Sequence, residues 1–283
     1  CPSIAVMGGG GAGGGGSGNG AGGGDAGANG DGDGTGAGAN ADGSSAAGCG
    51  GGSAGTSCSR CNPNVVAGDP VEVGTGSVFT IPELELVLPG PHPLEMYRGY
   101  HAGGRRFDVG IGAGWGHSLL WRIHAHRTEL LIHGQSGNVV RMPVPAPGES
   151  SVSKQGWLVR RRGDTLSLDA KDNRWRIFEP SEHDPGVYLL VAIEDFHGNR
   201  ISLGYERGRL AAVTDSVGRE LRVSTTQEGR VASISVANAS ARGSWVPVVR
   251  YSYDPGGRLV HVEHVEGGVH QYAYDPRGRL VRA

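Results

Sequence analysis

A tandem repeat near the C-terminus constrains the fold of this chain more than any other feature of its sequence. The stretch YDPGGRL at residues 253–259 returns 21 residues later as YDPRGRL at residues 274–280. Asp favours the start of a tight turn, Pro fixes φ, and Gly accepts a positive φ, so each copy predicts a hairpin turn. The residues we assign to this structural role are Tyr253, Asp254, Gly257, Arg258, Tyr274, Asp275, Gly278 and Arg279. A repeat of this period indicates architecture rather than a reaction centre.

The sequence from residue 69 onward predicts an all-β fold. Apolar and polar residues alternate in short runs such as Leu84–Leu88, and no stretch sustains the i, i+3, i+4, i+7 stripe of a helix. After residue 190 the turn glycines Gly198, Gly208, Gly218 and Gly229 follow one another at intervals of 10, 10 and 11 residues. The expected architecture is therefore a tandem series of short antiparallel strands and hairpins, with a loop insertion at residues 239–245.

The N-terminal segment has a different composition. Glycine supplies 25 of the 49 residues from Gly8 to Thr56, which contain no aromatic residue. Because glycine brings no apolar area and loses the most backbone entropy on ordering, this segment is expected to be disordered. We predict three parts: a Gly-rich low-complexity segment at 1–64, a β domain at 65–190 and a truncated repeat array at 191–283.

All four cysteines lie in the first part, at Cys1, Cys49, Cys58 and Cys61. Their even number and clustering suggest disulfides and an oxidising compartment. Zinc binding by Cys58 and Cys61 is an alternative, although the spacing to Cys49 is wrong for common four-ligand sites. A lipid anchor on Cys1 is a second alternative, and free thiols are a third. A chain that begins with Cys is expected to be a fragment or a processed product.

Charge and composition argue against several partners. Residues 65–283 carry 25 of the 26 Lys and Arg and 24 of the 28 Asp and Glu, so the sequence gives no basic footprint for nucleic acid. No run of about 18 apolar residues predicts a transmembrane helix. A calcium-loop pattern begins at Asn29, but its twelfth position is Asn40 rather than a bidentate Glu. We therefore expect no cofactor.

Several ordered motifs together resemble the Rhs family, also called YD-repeat proteins. The repeats YSYDPGGRL and YAYDPRGRL fit its Tyr-Asp-x-x-Gly-Arg-Leu pattern, and EDFHGNRISLGYERGRL and TDSVGRELRV are poorer copies. Upstream, AGDPVEVGTGSVF, LPGPHPLEMYRGY and GIGAGWGHSLLWRI are similar to the domain that precedes the repeats in bacterial Rhs polymorphic toxins. The resemblance covers residues 65–283 and leaves out the Gly-rich segment.

The resemblance implies a function as well as a fold. Rhs strands wind into a hollow β-shell that encloses a variable C-terminal toxin and is delivered by a secretion apparatus. On this basis we expect a non-catalytic, secreted or cell-surface scaffold, of which residues 1–283 are an N-terminal piece. The alternative is a cell-surface adhesion or wall-associated protein that the Gly-rich segment tethers.

Three catalytic or binding hypotheses are alternatives to the scaffold function. Rhs shells can cleave themselves near an Asp-Pro-x-Gly motif, and residues 254–257 and 275–278 both match it. A strand-borne histidine cluster could hold a metal, with candidates His117, His124, His126 and His133. Exposed tryptophans could bind glycans, with candidates Trp115, Trp121, Trp157, Trp175 and Trp245. In each case a structural role for these residues is the competing interpretation.

Overall fold

A computed structural model describes residues 71–72, 77–238, 240–241, 243–265 and 267–283. The Gly-rich segment, all four cysteines and the calcium-loop pattern lie outside the described residues, so the expectations for them remain predictions.

Twenty-two β-strands account for the regular structure of the described residues, apart from a 3₁₀ turn at Ala102–Gly104. The first eight are β1 Val71–Glu72, β2 Ser77–Val78, β3 Glu83–Leu88, β4 Leu94–Tyr100, β5 Trp115–His117, β6 Arg122–Ala125, β7 Glu129–His133 and β8 Val139–Pro143. The next seven are β9 Ser150–Val152, β10 Leu158–Arg162, β11 Thr165–Asp169, β12 Arg174–Pro180, β13 Val187–Asp195, β14 Arg200–Glu206 and β15 Arg209–Thr214. The last seven are β16 Glu220–Thr225, β17 Val231–Ala237, β18 Trp245–Tyr253, β19 Leu259–His264, β20 Val269–Gln271, β21 Ala273–Tyr274 and β22 Leu280–Arg282. The predicted all-β fold of antiparallel tandem hairpins is confirmed.

Most of these strands form one large antiparallel sheet. Strands β9 to β20 pair in chain order, each with the next, so this part of the sheet is a continuous meander. Short turns make this possible, since Gly198, Gly218, Gly229 and Gly257 all adopt φ between +76° and +87° in their hairpins. The β17–β18 connection, residues 238–244, is the longest link between strands of the repeat region.

The large sheet branches at β13. One edge of this long strand pairs with β6 through Val187–Leu189 and with β14 through Ala192–Glu194. Strands β7 and β8 continue from β6, which adds a second, shorter arm to the sheet. The predicted domain boundary between residues 190 and 191 falls inside β13, and the three-part division remains a prediction.

A smaller sheet of β3, β4 and β5 packs with the large one in a shared core. Residues 94–121 contribute part of the buried cluster, and residues 123–193 of strands β6 to β13 contribute another part. Inward positions of the repeat strands supply the rest, among them Val213, Leu221, Ile234, Val249, Leu259 and Val262. The segment from Trp115 to Trp121 is buried throughout. The alternation of buried and exposed side chains that is typical of a strand therefore begins only with β6, at Arg122.

Strand β3 also departs from simple alternation. Its pairing with β4 shifts register between Leu84 and Leu86, and this irregularity leaves Leu84 exposed while the Glu85 side chain is completely buried. A carboxylate at a core position requires partners, and these define the site described next.

Candidate functional site: the junction between residues 79–120 and the repeats

The repeat turns are closed by an Asp–Arg clamp within five residues. In the turn after β18, Asp254 Oδ1 accepts the backbone N–H of Arg258 at 2.9 Å, and Asp254 Oδ2 accepts the Nε–H of the same arginine at 2.6 Å. The N–H of Gly257 donates to the Asp254 carbonyl at 2.8 Å, with φ of Gly257 at +76°. The residues of the YDPGGRL motif thus serve the turn itself.

Other copies use the same geometry. Asp275 binds the N–H and Nε–H of Arg279 at 2.8 and 2.7 Å, and Gly278 takes φ of +72°. Asp215 binds Arg219 in the same way at 2.8 and 2.6 Å. Asp195 closes the first turn of the series with Asn199 in place of arginine. These four carboxylates are engaged by donors of their own turns, and burial, which would raise the pKa of Asp254, is outweighed by its hydrogen bonds to Arg258.

The repeat turn at residues 226–230 has no aspartate, and a distant residue replaces it. Thr226 occupies the Asp position, and its hydroxyl accepts only a long 3.4 Å hydrogen bond from the N–H of Arg230. The Nε–H of Arg230 donates instead to Asp108 Oδ2 at 2.9 Å. Asp108 Oδ1 also accepts the N–H groups of Gly110 and Gly112, at 2.8 and 2.9 Å. Asp108, which lies outside the repeats, therefore supplies the carboxylate that the 226–230 turn lacks.

We expect Asp108→Ala to destabilise the fold by about 1 kcal/mol, comparable with loss of a helix cap, because two backbone donors and one arginine lose their acceptor at a partly exposed site. The measurement is denaturant unfolding. Asp164→Ala in the β10–β11 hairpin is the matched control, expected within about 0.5 kcal/mol of the parent. Equal losses of stability in the two variants would contradict the role of Asp108 in closing the Arg230 turn.

The repeat tyrosines divide into two pairs. Tyr253 and Tyr274 are half-buried, and their hydroxyls donate to the carbonyls of Val231 and Leu259, at 2.6 and 2.7 Å. Tyr251 and Tyr272, two residues earlier in each copy, are buried more deeply, each with 5% exposure. Their hydroxyls reach a buried ionic cluster rather than a neighbouring backbone.

That cluster joins the small sheet to the repeats. Arg98 is fully buried, and its Nε–H donates to Glu85 Oε1 at 2.7 Å. Its two terminal nitrogens donate to the Tyr272 hydroxyl and to Glu83 Oε2, both at 2.6 Å. The hydroxyl of Tyr251 donates to Glu85 Oε2 at 2.6 Å. Every nitrogen of the guanidinium thus has an acceptor, as a buried charge requires.

Burial alone would raise the pKa of Glu85. The hydrogen bond from His117, the positive charge of Arg98 and the hydroxyl of Tyr251 outweigh burial and lower the pKa of Glu85 to about 2. The tautomer of His117 follows from its contacts. Its Nδ1 accepts the N–H of Leu119 at 3.1 Å, so the proton that faces Glu85 Oε2 at 3.0 Å is on Nε2. Glu85 is therefore held as a carboxylate by three donors.

A second set of contacts joins the Pro-rich segment after β3 to the Asp215 turn. The hydroxyl of Ser216 donates to the His92 carbonyl at 2.8 Å and accepts the His92 N–H at 3.2 Å. Arg219, which closes the turn, also donates to the Pro89 carbonyl. Together with Asp108 and the buried cluster, these contacts fix residues 79–120 against at least three successive hairpins.

The four candidate metal histidines do not converge. His117 belongs to the ionic cluster, whereas His124 and His133 lie with ring centroids 5.1 Å apart and pack on Phe107. Burial, with the nearby charges of His124 and Arg122, lowers the pKa of His133 to about 3. Within the described ranges, no three His, Cys, Asp or Glu side chains are grouped so that they could hold a metal ion.

The candidate tryptophans are largely covered. Trp115 and Trp121 are buried, and Trp121 packs on Trp157 with centroids 5.4 Å apart. Arginines lie over the remaining two rings, Arg160 over Trp175 and Arg222 over Trp245. These contacts favour the packing interpretation over a glycan platform.

Sequence reasoning missed most of the junction. It did not single out Glu83, Glu85, Arg98 or Asp108, and it assigned His117 to a different cluster. One signal was present, because Glu85 interrupts the apolar run LELVL and Arg98 interrupts MYRGY. Charged residues of opposite sign in two apolar strands favour a buried ion pair when those strands are neighbours.

Comparisons with known proteins cover this junction. Residues 68–142 match the family described as a domain of unknown function, DUF6531. The chain is 26% identical over 211 residues to the double-stranded DNA deaminase toxin A of Burkholderia cenocepacia. That similarity covers 71% of this chain and 14% of the relative, so the chain matches only a small part of that protein's length. No helix among the described residues is long and apolar enough to cross a membrane. The DUF6531 match includes Glu83, Glu85, Arg98, Asp108 and His117, the residues that this part of the chain contributes to the junction.

Proposed function

We propose that residues 71–283 form the first part of an Rhs-type shell, a non-catalytic scaffold that encloses and delivers a C-terminal toxin in competition between bacteria. The observation that carries this proposal is the junction itself. Three sets of contacts join residues 79–120 to one face of the sheet of repeat hairpins: the buried Arg98–Glu85 cluster, Asp108, and the Pro89–His92 segment. Such a junction fits a domain that covers the N-terminal end of an array of repeat hairpins.

The chemistry of the cluster supports a structural role. Arg98, Glu85 and His117 are fully or almost fully buried, and they are hydrogen-bonded to one another or to the repeat tyrosines. A catalytic acid or base needs access to its substrate and a pKa near the working pH. Glu85, with its pKa near 2 and its three donors, meets neither condition.

The comparison with the relative supports the toxin context. Its name assigns it a deaminase activity on double-stranded DNA, while the similarity to this chain covers 14% of its length. We place the toxic activity of the longer polypeptide outside the matched part, and we assign the matched part to enclosure. A secretion apparatus is then the partner that exports the protein, and the protein acts after secretion or at the cell surface.

Competition between bacteria tests the proposal. In the source bacterium, residues 79–120 are deleted from the gene and everything downstream is left in place. We expect killing of a competitor strain to be lost, while the downstream toxin segment expressed alone inside the competitor remains lethal. Intact killing by the deletion strain would overturn the proposal. Loss of surface attachment with no toxic segment downstream would instead support the adhesion alternative.

A further inference from the structure

The hairpin between β10 and β11 ends in an Arg-Gly-Asp sequence at residues 162–164. Arg162 pairs with Thr165 across the two strands, so Gly163 and Asp164 alone form the loop. Gly163 takes φ of +59°, whereas φ of Asp164 is not positive. This combination is the pattern of a type II′ turn, which matches the twist of the flanking strands and gives the loop one preferred shape.

The tip of this hairpin stands clear of its surroundings. A Cβ atom added to Gly163 would lie in open space, with no atom of another part of the chain within 4 Å. Arg162, Gly163 and Asp164 are all exposed. Within the described residues, the side chains of Arg162 and Asp164 make no hydrogen bond and no ion pair. The guanidinium of Arg161 donates to the Gly163 carbonyl at 3.1 Å and holds the loop in place.

The free carboxylate sets this loop apart from the repeat turns. In those turns Asp215, Asp254 and Asp275 each bind the arginine four residues later. Asp164 is separated from Arg162 by a single glycine, and the two charges do not pair with each other. The loop therefore presents a separate carboxylate and a separate guanidinium to the solvent.

Two neighbouring charges of opposite sign restrict what the loop can bind. A carboxylate without donors of its own can fill an open coordination position of Mg²⁺ or Ca²⁺, because these hard cations prefer oxygen ligands. A guanidinium fits a carboxylate through two parallel hydrogen bonds. A partner that offers both is a receptor that holds a divalent cation next to an acidic side chain. A uniformly anionic surface, such as nucleic acid or an acidic membrane, would attract Arg162 but repel Asp164.

We propose that residues 162–164 form an adhesion site for a receptor of this chemistry. Asp164 ligates the divalent cation that the receptor holds, and Arg162 binds the acidic side chain beside it. Gly163 has no side chain between the two, so the receptor approaches the loop backbone closely. The loop is already ordered by the pairing of β10 with β11, which lowers the entropy lost on binding. The site goes beyond the proposed shell function and does not depend on it.

Binding of the 283-residue chain to such a receptor tests the site. The probe is a purified integrin that binds Arg-Gly-Asp peptides through Mg²⁺. We expect saturable binding that EDTA abolishes and that a short Arg-Gly-Asp peptide displaces, whereas an Arg-Gly-Glu peptide does not. Asp164→Glu keeps the charge but moves the carboxylate outward by one methylene, so it should weaken binding at least about tenfold, as loss of a charged contact does. Arg162→Lys, which lacks the planar fork, should also weaken binding.

Controls separate this contact from general effects of charge and stability. Arg207 is exposed in the β14–β15 hairpin, whose two-residue loop also contains a glycine but no aspartate. Arg207→Lys should bind the integrin like the parent, and Asp164→Glu should unfold in denaturant like the parent. If the parent does not bind, binds equally in EDTA, or binds no better than Asp164→Glu, then the loop is not such a site. None of these outcomes depends on bacterial killing, so failure here is distinguishable from failure of the proposed function.

Discussion

Replacing Arg98 with methionine is expected to destabilise the fold by about 3–5 kcal/mol, the usual cost of removing one partner of a buried ion pair. Arg98 is the donor to both Glu85 and Glu83, and its guanidinium lies 4.9 Å from the centroid of the Trp115 ring. Without it, the Glu85 carboxylate stays buried and loses both a hydrogen-bond donor and the positive charge that balances its own. The measurement is denaturant unfolding at neutral pH, monitored by tryptophan fluorescence.

A double variant and a pH series sharpen this test. Arg98→Met combined with Glu85→Leu should recover much of the loss, because two apolar residues replace the pair. The folded-state pKa of Glu85, about 2, lies below the ordinary 4.5, so its contribution to stability is present above pH 4.5 and is lost as the pH falls towards 2. The difference between parent and Arg98→Met should therefore be largest at neutral pH and should narrow in acid. A difference that is constant with pH would contradict the role given to Glu85.

The turns of this protein could be predicted because their chemistry is local. Asp254, Gly257 and Arg258 make their closing contacts within five consecutive residues, so the motif contains almost everything that the turn needs. The hairpin series follows for the same reason, since each short antiparallel strand pairs with its chain neighbour. The all-β fold was therefore accessible from the alternation of residues and the spacing of glycines.

The junction could not be predicted because its contacts are distant in sequence. Glu85 and Tyr251 lie 166 residues apart, and Arg98 and Tyr272 lie 174 apart. The register irregularity in β3 also turns Glu85 inward where simple alternation would place it outside. A local pattern carries no information about which distant strand will supply a partner, so the ionic cluster required the tertiary structure.

The repeat tyrosines show the same limit on a smaller scale. The motif drew attention to Tyr253 and Tyr274, which are half-buried and bind neighbouring carbonyls. The deeper positions are Tyr251 and Tyr272, which precede the motif and contact the small sheet. Residues of the repeat motif stabilise the turn of each repeat and its contact with the neighbouring repeat. Residues that hold the repeats against residues 79–120 precede the motif, and each makes a contact specific to its place in the chain.

This distinction gives the second large prediction. We expect Tyr251→Ala to destabilise the fold by about 3–5 kcal/mol, because it removes a buried ring from the core and a hydroxyl donor from Glu85. Tyr253→Ala is the matched control two residues away on the same strand face. Its ring is half-buried and its hydroxyl binds a backbone carbonyl, so a smaller loss of about 1–3 kcal/mol is expected.

Tyr251→Phe separates the two parts of the Tyr251 effect. The ring is kept and Glu85 Oε2 loses its hydroxyl donor, which should cost about 1–3 kcal/mol because the remaining carboxylate is buried. Unfolding of all three variants in denaturant, with hydrogen exchange of the β4 and β5 amides, measures both the size and the location of the loss. Tyr251→Ala should increase exchange in β4 and β5, since Glu85 binds both Tyr251 of β18 and Arg98 of β4. Tyr253→Ala should leave this exchange closer to the parent. If Tyr253→Ala lowers the free energy of unfolding as much as Tyr251→Ala and raises amide exchange in β4 equally, then the buried cluster does not stabilise the repeats against β3, β4 and β5.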